Sequence, residues 1–229
     1  MKALITGATK GIGRAIAIKL WQNGYDLALI ARNKIELESF RDELVVEGRT
    51  ILIYPVDCAD KEQVYSFLNK VDDEFGFVDV LVNNVGTFLP GSLLDEEDEA
   101  FEKQQQLNVN SSYYISKFFA KNMRSAKRGH IFNICSVASK APVKNAGSYS
   151  VTKAAILSLN NVLRQELAPY NVKVTAFLPG STKTSSWDGT TIPNEKFVQP
   201  EDIAETLFTI LNLSKGVNVD EVLITPLDF

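Results

Sequence analysis

Two tyrosine and lysine pairs in the sequence have the spacing that proton donation from a helix requires. Reduction of a carbonyl needs a hydride, a proton and a group that polarises the oxygen. A tyrosine supplies the proton only if its pKa, ordinarily about 10, is lowered, and a lysine four residues later lies on the same helix face and provides the charge that lowers it. Tyr149 and Lys153 have this spacing, and so do Tyr113 and Lys117.

The surroundings of the two pairs distinguish them. Tyr113 and Lys117 belong to an aromatic helix face of the kind found in cores and subunit contacts, so we interpret that pair as coincidental. Tyr149 and Lys153 follow Ser136, which ends an apolar strand at the edge where parallel sheets bind ligands. We therefore predict that Tyr149 donates the proton, that Lys153 makes it acidic enough, and that Ser136 hydrogen-bonds the substrate oxygen.

A glycine-rich segment after the first apolar run is typical of a phosphate-binding turn. Glycines allow backbone N–H groups to approach a pyrophosphate, which the N-terminus of the next helix then stabilises. The spacing Gly-x-x-x-Gly-x-Gly differs from the standard Gly-x-Gly-x-x-Gly, and a plain tight turn between strand and helix is the alternative interpretation. The predicted cofactor contacts in this glycine turn are Thr6, Gly7, Thr9, Lys10, Gly11, Ile12 and Gly13.

The end of the second apolar run predicts which dinucleotide binds. Enzymes that use NAD place an acid there for the 2′-hydroxyl of the ribose, whereas this chain has Ala31 and Arg32. Arg32, together with Lys10 in the glycine turn, can pair with a 2′-phosphate through charge-assisted hydrogen bonds. We predict NADP(H); the alternative is that both cations are merely solvated.

Short apolar runs alternate with helical patterns along the whole chain. The runs are nearly continuous in aliphatic residues, as in parallel strands covered on both faces. This alternation predicts an α/β fold, a Rossmann-type doubly wound parallel sheet with helices on both faces. We expect one catalytic domain over 1–229, with the irregular stretch 180–199 as a substrate lid. The predicted strands are 2–6, 25–31, 50–56, 78–83, 130–135, 172–178 and 220–225, and helices are predicted to begin near Ile12, Lys34, Lys61, Glu97, Ser111, Ser148 and Glu201.

Composition excludes several other classes of protein. A net charge of −4 and a pI near 5.2 argue against nucleic-acid binding. Apolar runs too short to span a membrane and the lack of a secretory leader predict a cytoplasmic protein with no membrane partner. Cys58 and Cys135 are expected to be free thiols, and the presence of a single histidine predicts that the protein has no structural metal. His130 itself is expected at a surface or sheet edge.

The ordered motifs resemble those of the classical short-chain dehydrogenase/reductase family from Leu4 to about Ile203. They are the Thr-Gly-x-x-x-Gly-x-Gly start, Asn83-Asn84-Val85-Gly86 with Val85 in place of the usual alanine, and the Ser136, Tyr149 and Lys153 set. The resemblance implies that Asn108 holds the water that relays protons to Lys153, with Asn110 a less favoured candidate. From sequence alone, Asn108 is only a polar residue that interrupts a helix.

The same resemblance implies further cofactor contacts. Asp57 matches the acid that binds the adenine amino group, although an aspartate after a strand is often a turn or helix cap. The remaining implied cofactor contacts are Asn84 and Gly86 beside the cofactor, Tyr149 and Lys153, and Pro179, Gly180 and Thr184 below the nicotinamide.

The subgroup with the most similar motifs is that of NADPH reductases acting on 3-oxoacyl thioesters. This makes a small carbonyl substrate, with acyl carrier protein as a candidate carrier, our first interpretation. A polar lid and an end without a glycine-rich finish keep pterin, sugar and hydroxy-amino-acid substrates open. Two other classes are a catalytically silent NADP(H) sensor or scaffold and a nucleotide-sugar isomerase or dehydratase. The resemblance also implies a homodimer or homotetramer built from the helices that here carry Asn108 and Tyr149, as is common in the family.

Overall fold

The fold is built around a seven-stranded parallel sheet in the order β3-β2-β1-β4-β5-β6-β7. A computed structural model describes residues 1–44 and 48–229. The order reverses between β1 and β4, which creates a crevice at the carboxyl ends of these strands. The strands are β1 Lys2–Thr6, β2 Asp26–Ala31, β3 Ile51–Pro55, β4 Val80–Asn83, β5 His130–Ile134, β6 Lys173–Pro179 and β7 Glu221–Ile224.

Helices cover both faces of the sheet and bury its aliphatic strands. The strands β1, β2, β4 and β5 are buried almost throughout, which explains why they are continuously apolar rather than alternating. One core contains side chains of α1, α2 and α7, and the other contains side chains of α3, α5 and α6. The helices are α1 Gly11–Gln22, α2 Lys34–Leu44, α3 Lys61–Glu74, α4 Asp98–Gln104, α5 Ser111–Ala126, α6 Gly147–Leu167 and α7 Pro200–Leu211. The predicted doubly wound fold is confirmed.

Two segments differ from the sequence predictions. The helices expected to begin near Glu97 and Ser111 are parts of one continuous helical run, because a π-helical segment at Gln105–Asn110 joins α4 to α5. The stretch 180–199 is not irregular throughout, since it contains short 3₁₀ helices at Ser185–Trp187 and Asn194–Lys196. In the described part of the chain, no helix has the length and apolarity needed to cross a membrane.

His130 is buried, so the expectation of a surface or edge position was wrong. It begins β5, a central strand, and its side chain is only 4% exposed. Its Nε2 lies 2.8 Å from the Thr175 hydroxyl, and its ring stacks on Phe132 at 3.9 Å between centroids. The nearby Thr175 gives this polar ring a buried partner that the sequence around position 130 does not reveal. Burial, with a smaller contribution from Lys173, lowers the pKa of His130 to about 3.

This burial predicts acid sensitivity. The unfolded chain takes up a proton near the ordinary pKa of 6.5, whereas the folded chain does so only near 3, so stability is lost as pH falls through that window. We expect the His130 contribution to cost about 2 kcal/mol of unfolding free energy between pH 7.5 and pH 5. Urea unfolding of wild type and His130→Gln at both pH values tests this. Equal pH-dependent losses in the two proteins would contradict it.

Candidate active site and cofactor-binding turn

The glycine turn adopts a backbone conformation and a close packing that only glycine allows. Gly7 and Gly11 adopt φ values of +65° and +52°, a region that favours glycine. At Gly13, an added Cβ would lie 2.3 Å from the Gly7 carbonyl oxygen and 2.5 Å from Asn84 Nδ2. Helix α1 begins at Gly11, and Lys10 at its N-cap gives no side-chain cap. The first N–H groups of α1 are therefore available to an anion.

Thr6 and Asn84 brace this turn against β4. The Thr6 hydroxyl accepts the N–H groups of Asn84 and Val85, both at 3.0 Å. In return, Asn84 Nδ2 donates to the carbonyls of Thr6 at 3.0 Å and Gly7 at 3.1 Å. Both predicted cofactor contacts thus have a defined structural task, which is to fix the turn at the β1/β4 crevice.

The predicted 2′-phosphate cations occupy different electrostatic surroundings. Lys10 forms an ion pair with Glu36 at 2.9 Å, and hydrogen bonds, first from Lys10 and also from Thr9 and Asn33, lower the pKa of Glu36 below its ordinary value. Arg32 is exposed and, within residues 1–44 and 48–229, has no carboxylate oxygen within 4.0 Å. Arg32 is therefore the more available of the two cations. The ion pair between Lys10 and Glu36 was not predicted from the sequence. The sequence shows Glu36 only as an acidic residue in the first turn of a predicted helix.

Asp57 follows β3 and makes a local turn. Its Oδ1 accepts the N–H of Ala59 at 3.0 Å, and its own N–H donates to Gln63 Oε1 at 3.0 Å. The cap of α3 is instead Asp60, which accepts the N–H groups of Glu62 and Gln63. The structure thus shows the turn role for Asp57 that the sequence left open beside adenine recognition.

Ser136 lies at the carboxyl end of β5 with its hydroxyl oriented by the following turn. Its Oγ accepts the N–H of Ala138 at 3.1 Å, while the Ser139 hydroxyl accepts the N–H of Ser136 at 3.2 Å. The Ala138 N–H uses one lone pair of the Ser136 Oγ. The hydroxyl proton of Ser136 is not used in that bond and can be donated to another acceptor. Ser136 is 7% exposed, so this donor lies in a largely desolvated place.

Asn108 lies in the π-helical segment and ties three parts of the site together. Its Oδ1 accepts the Thr87 N–H at 2.7 Å, and its Nδ2 donates to the Thr87 carbonyl at 3.0 Å and the Thr152 hydroxyl at 3.1 Å. The Thr152 hydroxyl donates in turn to the Tyr149 carbonyl at 2.9 Å. Short π-helical segments frequently occur at functional sites. Thr87 and Thr152 are site residues that the motif search did not identify.

Lys153 is a buried ammonium beside Tyr149. It is 7% exposed, and its Nζ donates to the Ile134 carbonyl at 3.0 Å and lies 5.7 Å from the centroid of the Tyr149 ring. Within the described residues no carboxylate is paired with it. A Cβ on Gly86 would come within 3.1 Å of Asn108 Oδ1 and 3.6 Å of Lys153 Nζ. Gly86 therefore lets the loop after β4 pass directly against both side chains.

The coincidental pair has almost the same internal geometry but different surroundings. Lys117 Nζ lies 5.5 Å from the Tyr113 ring, yet Tyr113 is 44% exposed and Lys117 is exposed on α5. Lys153 is only 7% exposed, whereas Lys117 is surrounded by solvent, and water screens an exposed charge. Burial, rather than spacing, thus separates the two pairs.

Neither cysteine provides a reactive thiolate. Burial raises the pKa of Cys58 and of Cys135 to about 12 in each case, and for Cys135 this outweighs the opposing effect of nearby Lys153. Both thiols are free, as predicted. In the described ranges, no group of three or more His, Cys, Asp or Glu side chains is arranged to hold a metal ion.

The segment after β6 folds back over the glycine turn. Gly180 follows Pro179, and its N–H donates to the Ile224 carbonyl at 2.8 Å. Thr184 Cγ2 would lie 3.0 Å from a Cβ placed on Gly11. The segment is packed by a cluster of three aromatic rings with centroids 5.1 to 5.5 Å apart, formed by Trp187, Phe197 and Phe229.

Comparisons with known proteins agree with this fold and site. The family model for short chain dehydrogenase matches residues 1–193. An uncharacterized oxidoreductase of Staphylococcus aureus (strain MRSA252) is 31% identical, over 98% of this chain and 96% of its own. An alcohol dehydrogenase of the archaeon Thermococcus sibiricus, solved with 5-hydroxy-NADP, has 32% identity, a TM-score of 0.89 and coverage of 97% and 95%. A β-ketoacyl-[acyl-carrier-protein] reductase of Bacteroides thetaiotaomicron has 34% identity, a TM-score of 0.86 and coverage of 99% and 96%.

A parallel sheet in this order with a glycine turn after its first strand defines a Rossmann-type α/β protein. Within this fold class, the family model that matches residues 1–193 identifies the family. The chain belongs to the short-chain dehydrogenase family and is an oxidoreductase of that family.

Proposed function

We propose that the protein is an NADPH-dependent reductase of ketones or aldehydes, with Tyr149 as the proton donor. The observation that carries this proposal is the buried Lys153 ammonium beside the Tyr149 ring, next to Ser136 and the glycine turn. A lysine that is buried without a carboxylate partner among the described residues is uncommon in a protein interior. The uncapped start of α1 fits a dinucleotide pyrophosphate, and Gly13 allows α1 to pack closely against the glycine turn that would hold it.

The glycine turn and the start of α1 would hold NADPH, which would supply the hydride for the carbonyl carbon. Ser136 donates its free hydroxyl proton in a hydrogen bond to the carbonyl oxygen, and so polarises the carbonyl and orients it. Tyr149 transfers its phenolic proton to the same oxygen as negative charge develops there. Lys153 stabilises the phenolate that remains. Asn108 binds Thr87 in the loop after β4 and Thr152 in helix α6, and so fixes the loop relative to the helix. This keeps the Ser136 and Tyr149 hydroxyls aligned with the substrate oxygen.

The preference for NADP(H) rests mainly on Arg32 in this proposal. It is the exposed cation at the end of β2 without a carboxylate partner in the described chain, whereas Lys10 already pairs with Glu36. The structure of the Thermococcus sibiricus relative with 5-hydroxy-NADP supports the same cofactor class. A phosphate that approaches Lys10 must displace Glu36 or share the lysine with it.

We expect Arg32→Asp to reverse part of the cofactor preference. Replacing a cation by an anion at the 2′-phosphate should raise the apparent KM for NADPH by about 100-fold, because it removes one charge-assisted contact and adds a repulsion. The KM for NADH should change by less than about threefold. Steady-state kinetics with both cofactors measure this, with Lys34→Asp as a control for the charge change alone. Equal effects on the two cofactors would contradict the assignment.

The finer proposal for the substrate is a 3-oxoacyl thioester. Three apolar side chains, Phe88, Leu93 and Val143, are exposed in the two loops that flank Tyr149. Phe88 lies edge-on against the Tyr149 ring with centroids 5.0 Å apart. Exposed apolar groups beside the proton donor suit an acyl chain better than a sugar or pterin. The similarity to the Bacteroides thetaiotaomicron reductase also supports this substrate class.

A panel of carbonyl compounds tests the proposal. NADPH oxidation is followed with a 3-oxoacyl thioester, both free and on acyl carrier protein, and with a quinone or diketone, a pterin, a sugar ketone and the oxo form of a hydroxy amino acid. The highest kcat/KM with the thioester would support a 3-oxoacyl thioester as the substrate. A higher kcat/KM with the pterin, the sugar ketone or the oxo form of the hydroxy amino acid would instead assign a small polar substrate. Tight NADPH binding without turnover on any member would instead favour the sensor or scaffold.

Three architectural proposals accompany this function. Residues 1–229 form one catalytic domain, because strands from both ends of the chain share the sheet. Residues 180–199 form the substrate lid, since Thr184 in this segment packs directly over Gly11 of the glycine turn. Two or four copies assemble through α5 and α6, which leave apolar side chains such as Tyr113, Val151 and Val162 exposed.

A further inference from the structure

The start of helix α6, which carries Tyr149 and Lys153, has no cap of its own. Its N-cap residue is Ala146, whose side chain cannot accept a hydrogen bond. The first N–H groups of a helix have no intrahelical acceptor and need partners from elsewhere. The two residues directly before Tyr149 are Gly147 and Ser148, so the position of the tyrosine depends on how these N–H groups are held.

The loop between β4 and α4 supplies acceptors for the first two of these N–H groups. The Gly147 N–H donates to the Gly91 carbonyl at 3.2 Å, and the Ser148 N–H donates to Glu96 Oε1 at 3.2 Å. The Ser148 hydroxyl also donates to Glu96 Oε1. Ser148 is 1% exposed, so its two donors have little access to water as a substitute. A carboxylate at this place also interacts favourably with the positive end of the helix dipole.

Glu96 is itself held in place. Its N–H donates to the Ser92 carbonyl at 2.9 Å, which closes a turn within the loop. Gly91 leaves the room for it, because a Cβ there would lie 3.1 Å from Glu96 Cβ. The same loop places Phe88 against the Tyr149 ring. One loop therefore contacts Tyr149 through its ring and fixes the helix turn from which it projects.

We infer that Glu96 is a positioning residue for Tyr149: its carboxylate caps α6 across more than fifty residues of sequence and fixes the proton donor relative to the substrate oxygen. This inference rests on the proposed reductase function. It adds a residue outside the Ser136, Tyr149 and Lys153 set. Small displacements of a donor reduce catalysis strongly, so loss of this cap acts on turnover rather than on cofactor binding.

The test compares Glu96→Ala with Glu96→Gln, which keeps an oxygen at the acceptor position. The kcat, divided by the number of NADPH-binding sites, should fall about 10-fold to 100-fold in Glu96→Ala and stay within about threefold of wild type in Glu96→Gln. The Kd for NADPH should be unchanged in both. The solvent deuterium isotope effect on kcat should rise in Glu96→Ala, because proton transfer becomes more limiting. Glu97→Ala changes an exposed neighbour that gives no side-chain cap, and is the matched control.

Hydrogen exchange provides a second measurement that does not need turnover. Amides at 147–150 should exchange at least about 10-fold faster in Glu96→Ala than in wild type or Glu97→Ala, while α5 stays unchanged. Unchanged exchange, or a kcat per binding site equal to wild type, would overturn the inference. Wild-type protein that reduces no carbonyl would refute the proposed function instead, and the exchange result would still decide whether Glu96 holds the helix.

Discussion

Tyr149→Phe is expected to lower kcat by about 1,000-fold or more while NADPH still binds. The substitution removes only the phenolic oxygen, so the ring keeps its edge-on contact with Phe88 and its place beside Lys153. General acid catalysis contributes about 100-fold to 10,000-fold, and no other proton donor among the described groups combines the same helix position with a buried ammonium. Single-turnover kinetics and a fluorescence titration with NADPH measure the two effects separately.

The coincidental pair supplies a matched control for this experiment. Tyr113→Phe makes the same chemical change beside a lysine at nearly the same distance, 5.5 Å against 5.7 Å. We expect its kcat to remain within about twofold of wild type, since the substitution keeps the Tyr113 ring and neither Tyr113 nor Lys117 has a described contact with Ser136, Tyr149 or Lys153. Full turnover by Tyr149→Phe, or equal losses in both variants, would show that Tyr149 is not the proton donor.

Gly13→Ala is expected to abolish useful NADPH binding. The new Cβ would lie 2.3 Å from the Gly7 carbonyl oxygen, a backbone atom that cannot turn aside as a flexible side chain does. Relief requires α1 to move away from the glycine turn, which separates the helix N-terminus from the pyrophosphate. We expect the Kd for NADPH to rise more than about 100-fold and the free energy of unfolding to fall by about 1 to 3 kcal/mol.

Gly216→Ala is the control for this second prediction. A Cβ at Gly216 has no atom within 4 Å, and its φ does not lie in the region that glycine favours. The two variants therefore differ in surroundings and not in the group added. Calorimetric titration with NADPH and urea unfolding give the two readouts. A Kd for Gly13→Ala within about threefold of wild type would mean that this turn does not receive the pyrophosphate.

Local sequence signals identified the fold class and named the residues of the candidate site. Continuous aliphatic runs predicted the buried parallel strands because strands covered on both faces have no polar side. Ser136 could be assigned to the candidate site because it follows a continuous aliphatic strand, and the carboxyl ends of parallel strands are where ligands of such sheets bind. The bare spacing of Tyr149 and Lys153 was not, since Tyr113 and Lys117 share it and only burial separates them.

The contacts that sequence could not provide are those made between distant elements. Glu36 and Glu96 are ordinary acidic residues in the sequence, and their partners Lys10 and Ser148 are brought to them only by the fold. His130 was misplaced for the same reason, because its buried partner Thr175 comes from the adjacent strand β6. The π-helical segment that contains Asn108 has no spacing of apolar residues that distinguishes it in the sequence. For this reason two separate helices, beginning near Glu97 and Ser111, were predicted where the structure has one continuous helical run.

The aromatic cluster in the segment after β6 gives the protein an intrinsic optical reporter. The chain has two tryptophans: Trp21 is buried under Arg49 in the α1 core, and Trp187 packs against Phe197 and Phe229. The emission of Trp187 depends on whether these rings stay together, whereas Trp21 reports on the core. Replacing Trp21 by Phe would leave a single tryptophan, whose emission on excitation at the red edge of tryptophan absorption reports whether residues 180–199 keep this aromatic packing, without any attached dye.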